Sequence, residues 1–157
     1  MKTLTVVLMF LSLCTAALAD EALADEALAT DRGLEQYITN FDYAARKDMK
    51  MDSQGLIQLL KEGNAQLIDI RFPEEFAAWK VSPATNIPLP ELPARLDELD
   101  TSKVIVTACP HTPRAVIAML YLRSRGIPAK FLKDGLIGLA DNLRGDDARD
   151  FIQQLPK

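Results

Sequence analysis

The sequence predicts an α/β domain with a small, mainly parallel sheet and helices on both of its faces. Three observations point that way. Short apolar runs alternate at close spacing with segments of helical periodicity. Each helical segment carries its own start and stop signals. The chain of 157 residues, 48% of them hydrophobic and 25% charged, suits one domain of ordinary size plus a tail.

In chain order, Asp52 or Ser53 caps a helix whose apolar face is Leu56, Ile57, Leu59 and Leu60 and which Gly63 stops. Residues 65–70 (AQLIDI) form a buried strand ending in a charged loop. Pro73 opens a short helix, PEEFAAW, with acidic residues at its positive end. Thr85–Ile87 is a brief strand, and Glu91–Leu99 reads as a helix through Leu92, Leu96 and Leu99. VIVTA, residues 104–108, is the clearest strand. A long apolar helix follows, with Thr112 as its cap, Pro113 at its first position and Gly126 at its end. Ala129–Leu132 is a strand, a short helix follows Gly138, and Asp146–Leu155 closes the chain as a helix. Met119, Leu120 and Tyr121 read as core.

The amino-terminal third is different. Lys2, the apolar run of residues 4–19 and the Ala17-Leu18-Ala19 stop have the parts of a secretory signal peptide cut after Ala19. The alternatives are an uncleaved anchor, for which about 16 apolar residues are short of the roughly 20 a bilayer needs, and lipoprotein processing at Cys14, where Leu13 is bulky. Cleavage implies export, with the bacterial periplasm the expected compartment. Residues 20–48 form an acidic extension, partly mobile, that starts with a duplicated DEALA unit and carries Tyr37, Phe41 and Tyr43 as docking aromatics. The domain proper is expected to span 49–157.

Composition excludes several functions. A net charge of −4 with no Lys/Arg stripe gives no footprint for nucleic acid. One histidine and two cysteines are too few for a zinc or iron–sulfur site, so no metal is expected. After cleavage Cys109 is the one cysteine left, in a compartment where cysteines are commonly paired. It is then either inert in a core or kept free because its sulfur acts.

The segment around it is Cys109-Pro110-His111-Thr112-Pro113-Arg114. A loop this short, leading from strand to helix, curls so that backbone N–H groups face its centre, and the helix adds its own unpaired N–H groups and positive dipole end. With the fixed charge of Arg114 nearby, such a bowl stabilises a thiolate, the nucleophilic form of cysteine, and equally the anionic outer sulfur of a persulfide. Pro110 and Pro113 remove two donors; His111, Thr112, Arg114 and Ala115 keep theirs. The bland readings are a solvated His111, a helix-capping Thr112 whose hydroxyl otherwise faces the sulfur, and an Arg114 paired with a carboxylate on the next turn. Asp69 and Arg71 read as a structural ion pair or loop anchor rather than as catalytic groups.

The chain here resembles a known family, the single-domain rhodaneses. LIDIRFPEEF matches their D-[VI]-R-x-x-x-E-[FY] stretch through Asp69, Arg71, Glu75 and Phe76. Asn86–Pro88 matches the N-I-P segment, Cys109 to Arg114 the six-residue loop, and Gly135 to Gly138 the Gly-rich turn. The resemblance covers about residues 49–155 and implies a sheet of about five strands and a sulfurtransferase that calls for no organic cofactor, which the amino-terminal signal makes an exported one and which is expected to be a monomer. In it Cys109 takes a sulfane sulfur from a small sulfur-containing anion or persulfide donor such as thiosulfate or polysulfide, holds it as a persulfide, and passes it to a thiol, cyanide or partner-protein acceptor. Arg114 is then catalytic with Cys109, while Pro110, His111, Thr112, Pro113 and Ala115 line the substrate site and Asp69 and Arg71 support it. Related phosphatases place five residues between cysteine and arginine; this chain has four, the size suited to sulfur. Departures are the two prolines, Trp79–Ala84 in place of G-H-I-P-G-A, and a missing tryptophan near the Gly-rich turn. A non-turnover carrier that delivers sulfur to a partner protein is the second reading, and a catalytically silent fold used for protein contact the third.

Overall fold

A computed structural model describes residues 33–156. The expected cleavage after Ala19 and the first part of the acidic extension lie outside the described residues. The elements are α1 (residues 33–39), α2 (Tyr43–Asp48), β1 (Lys50–Met51), α3 (Ser53–Lys61), β2 (Ala65–Asp69), α4 (Pro73–Ala78), β3 (Thr85–Asn86), β4 (Val104–Ala108), α5 (Pro113–Ser124), β5 (Ala129–Leu132), α6 (Gly135–Asp141) and α7 (Gly145–Gln154). All five strands run parallel in the order β1-β5-β4-β2-β3.

The sheet is apolar on both faces, as a parallel sheet covered by helices must be. Ile68, Ile105 and Phe131 face α5, which covers them with Ala115, Ala118, Met119 and Leu122, while Ile70, Leu92 and Leu99 fill the same layer. Alternate residues of the same strands, Leu67, Val106 and Leu132, face the other way onto Leu56 and Leu60 of α3, Leu136 and Leu139 of α6 and Phe151 of α7. The period-2 alternation of strand side chains thus builds both layers from one set of strands.

Local signals act largely where the residues place them. The Asp52 carboxylate accepts from Gly55 N–H and caps α3, and Gly63 and Gly126 take positive φ just past the ends of α3 and α5. Three expectations change. Glu91–Leu99 is not one helix but two single 3-10 turns, Leu92–Ala94 and Leu96–Glu98. Arg95 between them leaves the helical region (φ −127°, ψ 27°), and its guanidinium bridges Glu91 and Glu98. The helix assigned after Gly138 begins at Gly135, so Gly138 lies inside it. Thr112 stands at the N-cap position of α5, but its side chain makes no capping hydrogen bond; its carbonyl accepts from Val116 instead.

The strand β1 has no counterpart in the sequence reading. It pairs with β5, Lys50 opposite Phe131 and Met51 opposite Leu132. Its approach is fixed by Asp48, whose carboxyl is held below the ordinary carboxylate value by hydrogen bonds from Lys130 and Arg123. Upstream, the Arg123 guanidinium lies 5.7 Å from the Tyr37 ring centre. Gly33 sits so close to Ser124 that a Cβ there would fall 2.2 Å from its carbonyl oxygen.

Candidate functional site

In a parallel sheet all the strand carboxyl ends share one edge, where side chains from separate loops meet. Cys109 follows β4, the central strand. The loops after its two neighbours bring Arg71 and Glu75 from β2 and Gly135 from β5 to the same edge. Thr107, one turn of the pleat before Cys109, donates to the Ala115 carbonyl at 2.8 Å and so ties the start of α5 to the strand. Cys109 itself is a free thiol, 2% exposed, packed at the end of the α5 layer.

The loop beyond it is braced from behind. Leu136 N–H donates to the Cys109 carbonyl at 2.8 Å and Ile137 N–H to that of Pro110 at 3.2 Å. This contact needs the glycine at 135: its φ is +65°, and a Cβ would fall 2.4 Å from the carbonyl oxygens of both Pro110 and His111. With the loop carbonyls turned toward α6, its N–H groups are left without partners. Those of His111, Thr112, Arg114 and Ala115 donate to no protein acceptor among the described residues. His111 is exposed, Pro110 and Thr112 half-buried, Pro113 exposed and Ala115 buried.

Arg114 projects from the first turn of α5 toward α4. Its Nη1 meets Glu75 Oε2 at 2.6 Å and its Nη2 meets Oε1 at 2.8 Å, a fork-to-fork pair with side-chain exposures of 32% and 37%. The pair raises Arg114 above its ordinary value, chiefly through the Glu75 hydrogen bonds, with a smaller contribution from the Cys109 side chain nearby. Glu75 is lowered to about 2, first by Arg114, then by the Phe72 N–H it accepts at 3.2 Å and by the charges of Arg114 and Arg71. Arg114 therefore pairs not with a carboxylate on the next turn but with one 39 residues away. The sequence marks Glu75 as an acidic residue at the start of its helix and as part of the D-[VI]-R-x-x-x-E-[FY] stretch, not as the partner of Arg114.

A second arginine holds this carboxylate's helix in place. Arg71 and Asp69 are completely buried, joined by Nη2–Oδ2 at 2.6 Å and Nε–Oδ1 at 2.9 Å. The remaining guanidinium donors reach the carbonyls of Glu75 (3.3 Å) and Trp79 (2.8 Å), which brackets α4, and the Trp79 ring lies 4.1 Å over the guanidinium carbon. Asn86 donates to the carbonyls of Asp69 and Arg71, fastening the loop to β3. Asp69 and Arg71 thus form a buried ion pair that carries Glu75, and Glu75 carries Arg114. Among the described residues no group of three or more His, Cys, Asp or Glu side chains is placed to hold a metal ion.

Comparison with known proteins bears on the family and the fold. Residues 52–141 match the family described as the rhodanese-like domain. A sulfurtransferase of Allochromatium vinosum is 30% identical over 93 residues, 58% of this chain and 87% of that protein. An uncharacterized protein of Bacillus subtilis is 40% identical over 62 residues, 40% of this chain and 49% of its own length. The chain thus spans about half of the Bacillus relative. Among solved structures, a human single-domain sulfurtransferase superposes with a TM-score of 0.53 at 27% identity, over 59% of this chain and 96% of the other.

Proposed function

Because the chain belongs to the rhodanese-like domain family, we propose that it is a sulfurtransferase in which Cys109 carries a sulfane sulfur as a persulfide. The observation that carries this reading is the loop after β4, in which a free cysteine is followed within six residues by four N–H groups without protein partners among the described residues and by Arg114, which Glu75 holds. The Cys109 thiolate attacks the outer sulfur of a donor. The donor's S–S bond breaks, its leaving group departs with the electron pair, and Cys109 keeps one added sulfur. Either sulfite or a thiol can leave, depending on the donor. An acceptor nucleophile, a thiol or cyanide, then attacks the outer sulfur and restores the thiolate. The sulfur keeps its oxidation state throughout, so no cofactor is required.

The roles follow from the contacts. The N–H groups of His111, Thr112, Arg114 and Ala115 offer hydrogen bonds to the anionic outer sulfur, as oriented donors do for developing charge elsewhere. Arg114 adds positive charge, Glu75 fixes where that charge sits, and the Asp69–Arg71 pair keeps α4 in place. Pro110 and Pro113 supply shape without donors. We further propose that residues 1–19 direct export to the periplasm, which sequencing of the amino terminus of the mature protein checks by finding Asp20 first.

The second reading, a carrier that yields its sulfur only to a partner protein, is favoured by one observation: Cys109 is 2% exposed. One experiment separates the two. The protein is incubated with thiosulfate or polysulfide, its intact mass measured, and cyanide added. An added sulfur that is absent in Cys109→Ser and is released catalytically as thiocyanate is the expected result for the enzyme. A stable adduct without turnover identifies the carrier, and no adduct from either donor overturns both.

A further inference from the structure

Resting on the sulfur-transfer reading above, we infer that Asp134 is a positioning residue for the Cys109 loop, holding it through a hydrogen bond to the first amide of α3. Asp134 stands at the N-cap of α6, where an aspartate ordinarily accepts from its own helix. Here it makes no such bond. Its Oδ2 instead accepts the Ser53 N–H at 2.8 Å, across 81 residues of chain. Ser53 is 1% exposed, so water has little access to that N–H, and its hydroxyl has no hydrogen-bond partner among the described residues. The link between the two segments is therefore the backbone amide. A carboxylate suits the place, because the unpaired N–H groups at a helix start favour negative charge.

The bond lies next to the brace of the cysteine loop. Gly135 follows Asp134, takes positive φ, and passes the Pro110 and His111 carbonyls with no room for a Cβ. Leu136 N–H then donates to the Cys109 carbonyl. A turn with these demands needs an anchor on its entering side. Lys133 N–H supplies a backbone one by donating to the Met51 carbonyl at 2.8 Å, and the Asp134 carboxylate supplies the side-chain one. Gly138 leaves room for it, since a Cβ there would fall 2.7 Å from the Asp134 Cβ. The start of α3 is thus joined through Asp134 and Gly135 to the carbonyls of the cysteine loop, and the direction of those carbonyls sets where the loop's N–H groups face. The short strand β1 and the first turn of α3 belong to the support of the site.

The test compares wild type, Asp134→Ala, Asp134→Asn and Ser53→Pro in the full chain. Asparagine keeps an acceptor oxygen and drops the charge. Proline suits the first position of α3 and follows an extended Asp52 (φ −91°, ψ 166°), so it removes the donor and leaves the helix its start. Two rates are read: amide exchange at Leu136 by NMR, and sulfur gain on Cys109 from thiosulfate by quenched intact mass. Asp134→Ala and Ser53→Pro are expected to exchange Leu136 about tenfold faster, as for one lost charge-assisted hydrogen bond. Both should load sulfur about tenfold more slowly, the effect of a small misplacement of the reacting group. Asp134→Asn should stay within about threefold of wild type in both rates. Unchanged Leu136 exchange in either Asp134→Ala or Ser53→Pro overturns the inference. So does faster loading in both Asp134 variants, the result of a charge that only repels the anionic donor. So does an Asp134→Ala protein that melts lower but loads at the wild-type rate, the result of a purely structural role. If wild-type Cys109 takes up no sulfur, the sulfur-transfer reading falls, and Leu136 exchange alone decides whether Asp134 holds the loop.

Discussion

Two arginine–carboxylate pairs stand at the carboxyl edge of the sheet, and the difference between them separates scaffold from site. Asp69–Arg71 is wholly buried, local in sequence, and saturated by the carbonyls of Glu75 and Trp79. Glu75–Arg114 spans two helices, is about one-third exposed on both sides, and has Cys109 beside it. Burial makes the first pair costly to break, because removing one partner strands a desolvated charge. Exposure makes the second cheap to break, because water replaces what is lost. The proposed reactive end of the edge is therefore the one whose ion pair can be altered without unfolding the molecule.

The largest effect that sharpens this contrast is expected from Arg71→Met, which leaves Asp69 buried without its partner. Urea denaturation should show a loss of about 3–5 kcal/mol. Arg114→Ala should instead change stability by no more than about 1 kcal/mol. Its sulfur loading, followed by thiocyanate release or mass gain, should fall by about a hundredfold, the usual consequence of losing one group that stabilises developing negative charge. If Arg114→Ala destabilises as much as Arg71→Met, the division between the two pairs is wrong.

Gly135→Ala should cost about 1–2 kcal/mol for the positive φ alone, with more from the approach of its Cβ to the Pro110 and His111 carbonyls. Thermal melting checks the stability loss, and reduced sulfur loading would report the displaced loop. The smallest effect concerns pH. Glu75 is lowered from 4.5 to about 2 in the folded protein, so its contribution is present above the unfolded value and is lost as pH falls toward about 2. The stability advantage of wild type over Glu75→Gln should be small at neutral pH and should vanish between about pH 4.5 and 2. An advantage that instead grows on acidification would contradict the assigned cause.

How much of this could be seen in the chain beforehand depends on how local each signal is. The strand VIVTA, the proline that opens α5 and the glycines that end α3 and α5 are short-range signals and were readable. So was the cysteine loop, because its cysteine, arginine and prolines lie within six residues. The strand β1 was not, since two residues have no period and their partners Phe131 and Leu132 are far along the chain. The two 3-10 turns mimicked a helix because Leu92, Leu96 and Leu99 keep helical spacing while Arg95 breaks the backbone between them. Glu75 was visible as a residue but not as a partner. PEEF offers two adjacent glutamates, and only the packing of α4 against α5 decides which one meets Arg114.

Sulfur transfer at Cys109 requires a reactive thiol on a residue that is almost inaccessible. The direct measurement is the rate at which Cys109 is alkylated by a small uncharged reagent at neutral pH, read by peptide mass, in the folded protein and in the same chain unfolded in urea. Folding is expected to accelerate the reaction, and Arg114→Ala to remove much of the acceleration. A Cys109 that reacts more slowly when folded, with or without Arg114, would be an ordinary packed cysteine and would contradict sulfur transfer there.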